Sequence, residues 1–162
     1  MNWISLAGTA LGALIALLAT SLNDRVKWRR EQSASHRALC QQTYARFLAA
    51  LTDAHERMRT EARTDHQSAE ARATAVLEAF HTSGCYPLRY ELAIIASQPV
   101  LDGAEEAFKL IRQVRDLLAA GTGVEAPEYK ELRYAYGPVL RNLQARMRAE
   151  LGSDEVQLTG GG

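Results

Sequence analysis

Residues 40–58 read CQQTYARFLAALTDAHERM. Cys40, Tyr44, Phe47, Leu51, Ala54 and Met58 recur at intervals of 4, 3, 4, 3 and 4, and Leu48 widens the row. That spacing follows the turn of an α-helix and puts these apolar side chains on one face, whereas a half-buried strand alternates at every second residue. A helix with such a stripe is stable when other elements cover it. Ala, Leu, Arg and Glu dominate the chain, and prolines fall only at Pro87, Pro99, Pro127 and Pro138. This composition suits helices rather than strands, so an all-α fold is predicted. With 162 residues, 47% of them hydrophobic, the chain is long enough for one compact domain and an anchor, but not for two ordinary domains.

Between residues 23 and 83 there is neither proline nor glycine, so the helix is predicted to continue back through a charged stem into residues 3–22, WISLAGTALGALIALLATSL. This segment of 20 residues carries no charge. At 1.5 Å per residue it spans about 30 Å, the hydrocarbon thickness of a bilayer. It reads as a single transmembrane helix. A cleaved signal peptide needs a basic n-region and a small-x-small site; no Lys or Arg precedes Trp3, and Leu17 occupies the −3 position for cleavage after Ala19. Beyond the span lie Arg25, Lys27, Arg29 and Arg30, diluted by Asp24. Positive charge on that flank predicts an N-terminus outside and a C-terminal domain in the cytoplasm, with Trp3 and Trp28 near the two interfaces. The same cluster suits anionic lipid. Gly8, Gly12, Ala16 and Thr20 recur at every fourth residue, a small-residue face through which a second copy of the helix can pack.

Past Met58 the helix is expected to reach about Arg63, followed by a polar turn at residues 64–67. A second helix starts near Ser68, with Ala69, Ala73, Val76, Leu77 and Phe80 on its core face, and meets an interruption at residues 82–87, TSGCYP. Pro87 removes a donor and turns Tyr86 away from helical geometry. The apolar face resumes at Leu88, Leu92 and Ile95, so one interrupted helix to about Ala96 is expected. Ser97 is placed to cap a third helix, with Leu101, Ala104, Phe108, Ile111, Val114 and Leu118 inward and Gly121 as its left-handed stop. Pro127 opens a fourth, with Leu132, Tyr136, Val139 or Leu140, Leu143, Met147 and Leu151 as its stripe, a kink at Gly137-Pro138 and a stop at Gly152. The architecture predicted is a transmembrane anchor (1–22), a basic juxtamembrane stem (23–37), an antiparallel bundle of about four helices (38–151) and a disordered tail (152–162). Three helices beside a disordered middle is the alternative.

GTALGALIALLAT (8–20), RREQ (29–32), YARFLAAL (44–51) and QARMRAELG (144–152) together resemble a broad group of small membrane-anchored helical proteins of high-GC Gram-positive bacteria. The resemblance covers the anchor and the first and last helices. It implies an architecture and carries no activity.

Residues that bear chemistry are sparse. His36/Cys40 and His81/Cys85 are His-x-x-x-Cys pairs, and this spacing puts each pair on one helical face, as a metal site requires. If the first two helices turn back near residue 64, Cys40 and Cys85 fall at similar heights, about 33 to 35 Å from the turn. The two histidines then lie about 13 Å apart along the axis, too far for one tetrahedral zinc. Reduced, buried cysteines suit a cytoplasmic domain better. Glu78-x-x-His81 is half of a di-iron motif without its second copy, and His55-Glu56 is followed by Arg59 where a zinc protease needs histidine. Tyr86, Tyr90, Tyr129, Tyr134 and Tyr136 suit either the rim of a core or an interface. Nineteen basic and nineteen acidic residues cancel, leaving no excess of cations for nucleic acid.

No catalytic residue, cofactor or metal is assigned. The function predicted is a non-enzymatic interaction or scaffold module, held on the cytoplasmic face by one membrane helix, that presents a helix face to a protein partner or to a second copy. Two other classes stay open: a membrane-perturbing protein of holin or toxin type, and a metal-binding sensor or enzyme using the His/Cys pairs.

Overall fold

The computed structural model describes residues 3–152, with side chains for residues 27–28 and 31–152. The anchor reading of residues 3–22, its face at Gly8, Gly12, Ala16 and Thr20, the basic residues Arg25, Arg29 and Arg30, and the tail from residue 153 lie outside the described side chains. Among the described residues no helix is long and apolar enough to cross a membrane. The chain divides into two compact units, residues 1–39 and 40–162. In the first unit the described side chains are all exposed, Trp28 among them, and Lys27 approaches Glu31 at 4.0 Å.

The described residues are helical, without a strand. Five helices follow in order: α1 (Trp3–Arg63), α2 (Ala69–Thr82), α3 (Cys85–Ile95), α4 (Gln98–Ala119) and α5 (Pro127–Leu151). The second unit, which takes α1 from Cys40 onward, is a helical bundle in which α2 and α3 together form one broken rod. Contacts between side chains give the directions. Cys40 faces the Ile95 carbonyl while Arg46 pairs with Glu91 at 3.0 Å, so α1 and α3 run opposite ways. Arg72 donates to the Thr122 carbonyl, and Arg115 further back in α4 stacks on Phe80, so α2 and α4 are antiparallel. Arg146 donates to the Pro99 carbonyl and Ser97 meets Glu150, so α4 and α5 are antiparallel too.

The stripe of residues 40–58 is buried along its length. Phe47, Leu51 and Met58 join Val76, Phe80, Leu92, Ile111, Leu118 and Leu143 in one core. Burying a side chain of this size stabilises by roughly 1.5–3 kcal/mol, which is how short helices hold together without strong propensity. Two core assignments are corrected, and the first is Ala69, which is exposed in the opening turn of α2. Leu77 is 47% exposed, because α2 turns Val76, Ala79 and Phe80 inward and leaves its neighbour about 100° around the helix.

The helix ends follow local chemistry. Ser68 accepts a hydrogen bond from the Ala71 N–H at 3.1 Å, satisfying one orphan donor of α2. Gly84, at φ 80°, separates α2 from α3. Helix α3 then restarts at Cys85, which puts Pro87 in its first turn, where a missing N–H leaves no intrahelical bond unmade. Gly121 closes α4 at φ 100°, and the Thr122 N–H returns to the Leu117 carbonyl. Ser97 does occupy the N-cap of α4, but its hydroxyl makes no cap bond. It donates instead to Glu150 at 2.6 Å, and its N–H donates to the same carboxylate at 3.1 Å. This clasp ties the start of α4 to the end of α5. Buried beside it, off hydrogen-bond geometry, the Tyr44 hydroxyl is pushed far above its ordinary pKa by desolvation and then by the Glu150 charge. Helix α5 continues through Gly137-Pro138 to Leu151.

Candidate functional site

The metal candidates do not converge. His36 is an exposed residue of the first unit, and His81 is exposed on α2. Cys40 and Cys85 are buried, but their expected match in height is corrected: Cys40 faces Ile95, whereas Cys85 lies within electrostatic reach of Asp53. Measured along α1, levels 40 and 53 are about 20 Å apart at 1.5 Å per residue. The cause is the connection before Ala69 and the break at residues 83–84, which move the centre of the turn beyond residue 64. Burial raises the Cys85 pKa, with the neighbouring Ser83 side chain acting in the opposite direction, so the group is a thiol rather than a ligating thiolate. Among the described residues no three His, Cys, Asp or Glu side chains are grouped to hold a metal ion.

A polar pair that the spacing does not reveal joins α1 to α5. His55 Nε2 and Tyr129 Oη are hydrogen-bonded at 3.0 Å, their rings stack at 6.2 Å between centroids, and the Tyr136 ring lies 5.8 Å from the imidazole. Tyr129 and Tyr136 are buried. Burial holds the His55 pKa below its ordinary value, with Arg59 and Arg133 acting in the same direction and Glu56 against it. The pair lies in the seam between two helices, and the seam is a structural contact: neither groove described next includes either residue. The only legible signal is Tyr129 and Tyr136 at i and i+7, one face of α5.

The surface of the broken rod is different. Helix α3 is apolar on two sides. Cys85, Leu88 and Leu92 face the core, while Tyr90 is 64% and Ile94 84% exposed. Tyr86, Tyr90 and Ile94 stand at i, i+4 and i+8, and the Tyr86 ring lies 6.3 Å from that of His81, itself four residues after Leu77. One outward row, Leu77, His81, Tyr86, Tyr90 and Ile94, therefore continues across the Gly84 break. Tyr86 is anchored by edge contacts to Phe80 and Phe108 at 5.6 and 5.3 Å. Arg115 stacks over Phe80 at 5.0 Å and donates to the Tyr86 hydroxyl, while Arg89 lies over Phe108 and Tyr90.

Two grooves flank α2. One, of about 530 Å³, is lined by Leu77, Phe80, His81, Tyr86 and Arg115 toward α4. The other, of about 440 Å³, lies toward α1 between Glu56, Arg57, Glu61 and Glu78. Glu78 lines both. Rigid aromatic side chains of this kind offer large contact area at low entropic cost, as interface anchors do. Of the five tyrosines weighed from the sequence, Tyr129 and Tyr136 serve the core, Tyr86 is half-buried, and Tyr90 and Tyr134 are exposed. Comparison of the chain with protein-family models, with curated proteins and with solved structures gives no match.

Proposed function

We propose that this chain is a membrane-tethered interaction module without catalytic chemistry, whose bundle presents the outward row of the broken rod to a protein partner on the cytoplasmic face. The observation that carries the reading is the second apolar side of α3. A helix in a bundle needs one buried stripe, and Leu88 and Leu92 already provide it. Tyr90 and Ile94 exceed what the fold requires, and exposed large apolar groups in one row mark surfaces that become covered. The tether rests on the uncharged residues 3–22 and the basic flank after them.

Two measurements test the two halves. In alkaline carbonate extraction of membranes from expressing cells, the full chain stays in the pellet and a Leu14→Arg, Ile15→Arg variant is released; release of the unaltered chain would refute the tether. In mild detergent extracts of the native cells, a Tyr90→Asp, Ile94→Asp variant keeps its helical circular dichroism yet migrates as a smaller species than the unaltered chain on a native gel. Identical migration counts against the docking row.

A further inference from the structure

Resting on the tether in that reading, we infer that the bundle has a second, electrostatic face: the outward side of α5, with Arg133, Arg141 and Arg148, lies on an anionic lipid leaflet. The sequence supplies the first half of the argument. Past residue 24, the longest stretches without Asp or Glu are residues 32–52 and 132–149, and the second carries four arginines. In the bundle α1 and α5 are neighbours along these stretches, since Tyr129 bonds His55 near one end and Glu150 approaches Tyr44 near the other. A chain without net charge is thus cationic along one seam.

Helical spacing collects that charge on the outside. Tyr134, Arg141 and Arg148 stand at i, i+7 and i+14 on one side of α5, with Arg133 beside them. Arg133 and Arg141 are exposed and Arg148 is half-buried, and none of the three has an ion pair among the described residues, whereas Lys130 is held by Glu125 at 3.1 Å. Arg146, on the side toward α4, is occupied by Asn142 and the Pro99 carbonyl. Arginines without ion pairs occur elsewhere, but Arg112 shares the outer side of α4 with Glu105 and Asp116, at i−7 and i+4.

The geometry selects the occupant. Arg141 and Arg148 are about 10 Å apart along the axis, and the two grooves described above lie elsewhere, lined by residues of α1 to α4. Protein interfaces draw their energy from anchors in such pockets. A leaflet needs none, because its headgroups diffuse to wherever the charges stand and each basic residue near them adds attraction. Tyr134, 77% exposed in the same row, suits the headgroup level. Helix α5 packs on α1 and α4, diagonal to the broken rod, so a bundle lying on α5 turns Tyr90 and Ile94 away from the bilayer. Lying on lipid and presenting the outward row are therefore compatible.

The test uses the full chain reconstituted in phosphatidylcholine vesicles with and without phosphatidylglycerol. The environment-sensitive dye acrylodan is placed at Ala145→Cys, between Arg141 and Arg148, or at Ala71→Cys on α2; both positions are exposed, and the buried Cys40 and Cys85 escape labelling. Emission at position 145 should shift to the blue only with phosphatidylglycerol and return in high salt, while position 71 stays unchanged. Arg133→Gln, Arg141→Gln and Arg148→Gln should each lower the ratio of docked to free bundle about fivefold, with unchanged circular dichroism. No shift at 145 in anionic vesicles that carry the chain on flotation overturns the inference and leaves the tether standing. A shift that survives high salt or the triple variant, or an equal shift at 71, does the same. A shift in native membranes without one in lipid vesicles makes an acidic protein the occupant and also overturns it. A chain that parts from the vesicles on flotation overturns the tether as well.

Discussion

His55 sits half-buried between Tyr129 and Tyr136 of α5, with Glu56 and Arg59 on its own helix and Arg133 facing it from α5. Burial lowers its pKa below the ordinary value of 6.5, so the unfolded chain takes up a proton more readily than the folded one. The stabilisation tied to the neutral ring is therefore fully present above about pH 6.5 and is lost as the pH falls below it. Urea midpoints measured at pH 7.5 and pH 5 should fall more for the wild type than for His55→Gln, which has no ring to protonate. Equal falls would mean that His55 carries no pH-linked stability. None of this is legible from His55-Glu56 as a motif, because a motif search asks what lies four residues on and not what lies across the seam. Spacing misplaces the height of Cys85 for a related reason. Residues per turn fix positions within a helix, but the length of a connection fixes positions between helices.

At the scale of the helices, spacing is a good guide wherever the stripe is unambiguous. All six residues that define the row at 40–58 are buried, as are Ala104, Phe108, Ile111, Val114 and Leu118 on α4. Ambiguity enters where two apolar residues are adjacent, and Val76-Leu77 is the clearest instance. Only packing against α4 decides which of them turns inward. The break near Pro87 is also legible, but its mechanism is not. Proline is tolerated in a first turn, and Gly84 creates that first turn by reversing the sign of φ. A methyl group added at Gly84 would have no neighbour within 4 Å, so Gly84→Ala meets no clash and the cost is confined to the backbone. The expected loss is about 1 kcal/mol of unfolding free energy, from the strain of an L-residue in left-handed geometry. A denaturant titration reads it directly, and an unchanged midpoint would show that the break tolerates a right-handed residue.

For the molecule as a whole, the class and order of the bundle helices can be read from the sequence, since each stripe needs a neighbour and each connection is short. The outward row cannot, because Tyr90 and Ile94 look like core residues until the core is seen to be complete without them. The His55–Tyr129 bond has a further consequence, in the order of events by which the chain folds. It joins residues 74 apart in sequence, whereas the ring contact of Phe80 with Tyr86 and the ion pair of Arg89 with Glu105 close short loops. Closing a longer loop costs more chain entropy, so the α1–α5 seam forms after the local contacts have shortened the path between its ends. An interaction made after the rate-limiting step leaves the folding rate nearly untouched and appears in the unfolding rate. Tyr129→Phe should therefore speed spontaneous opening by up to about fivefold, for a lost hydrogen bond of about 1 kcal/mol, while refolding in stopped flow keeps its rate. Slowed refolding would instead place the seam in the nucleus. A seam that closes after the local contacts is also early to part, which makes the opening between α1 and α5 the event that governs how long the assembled bundle lasts.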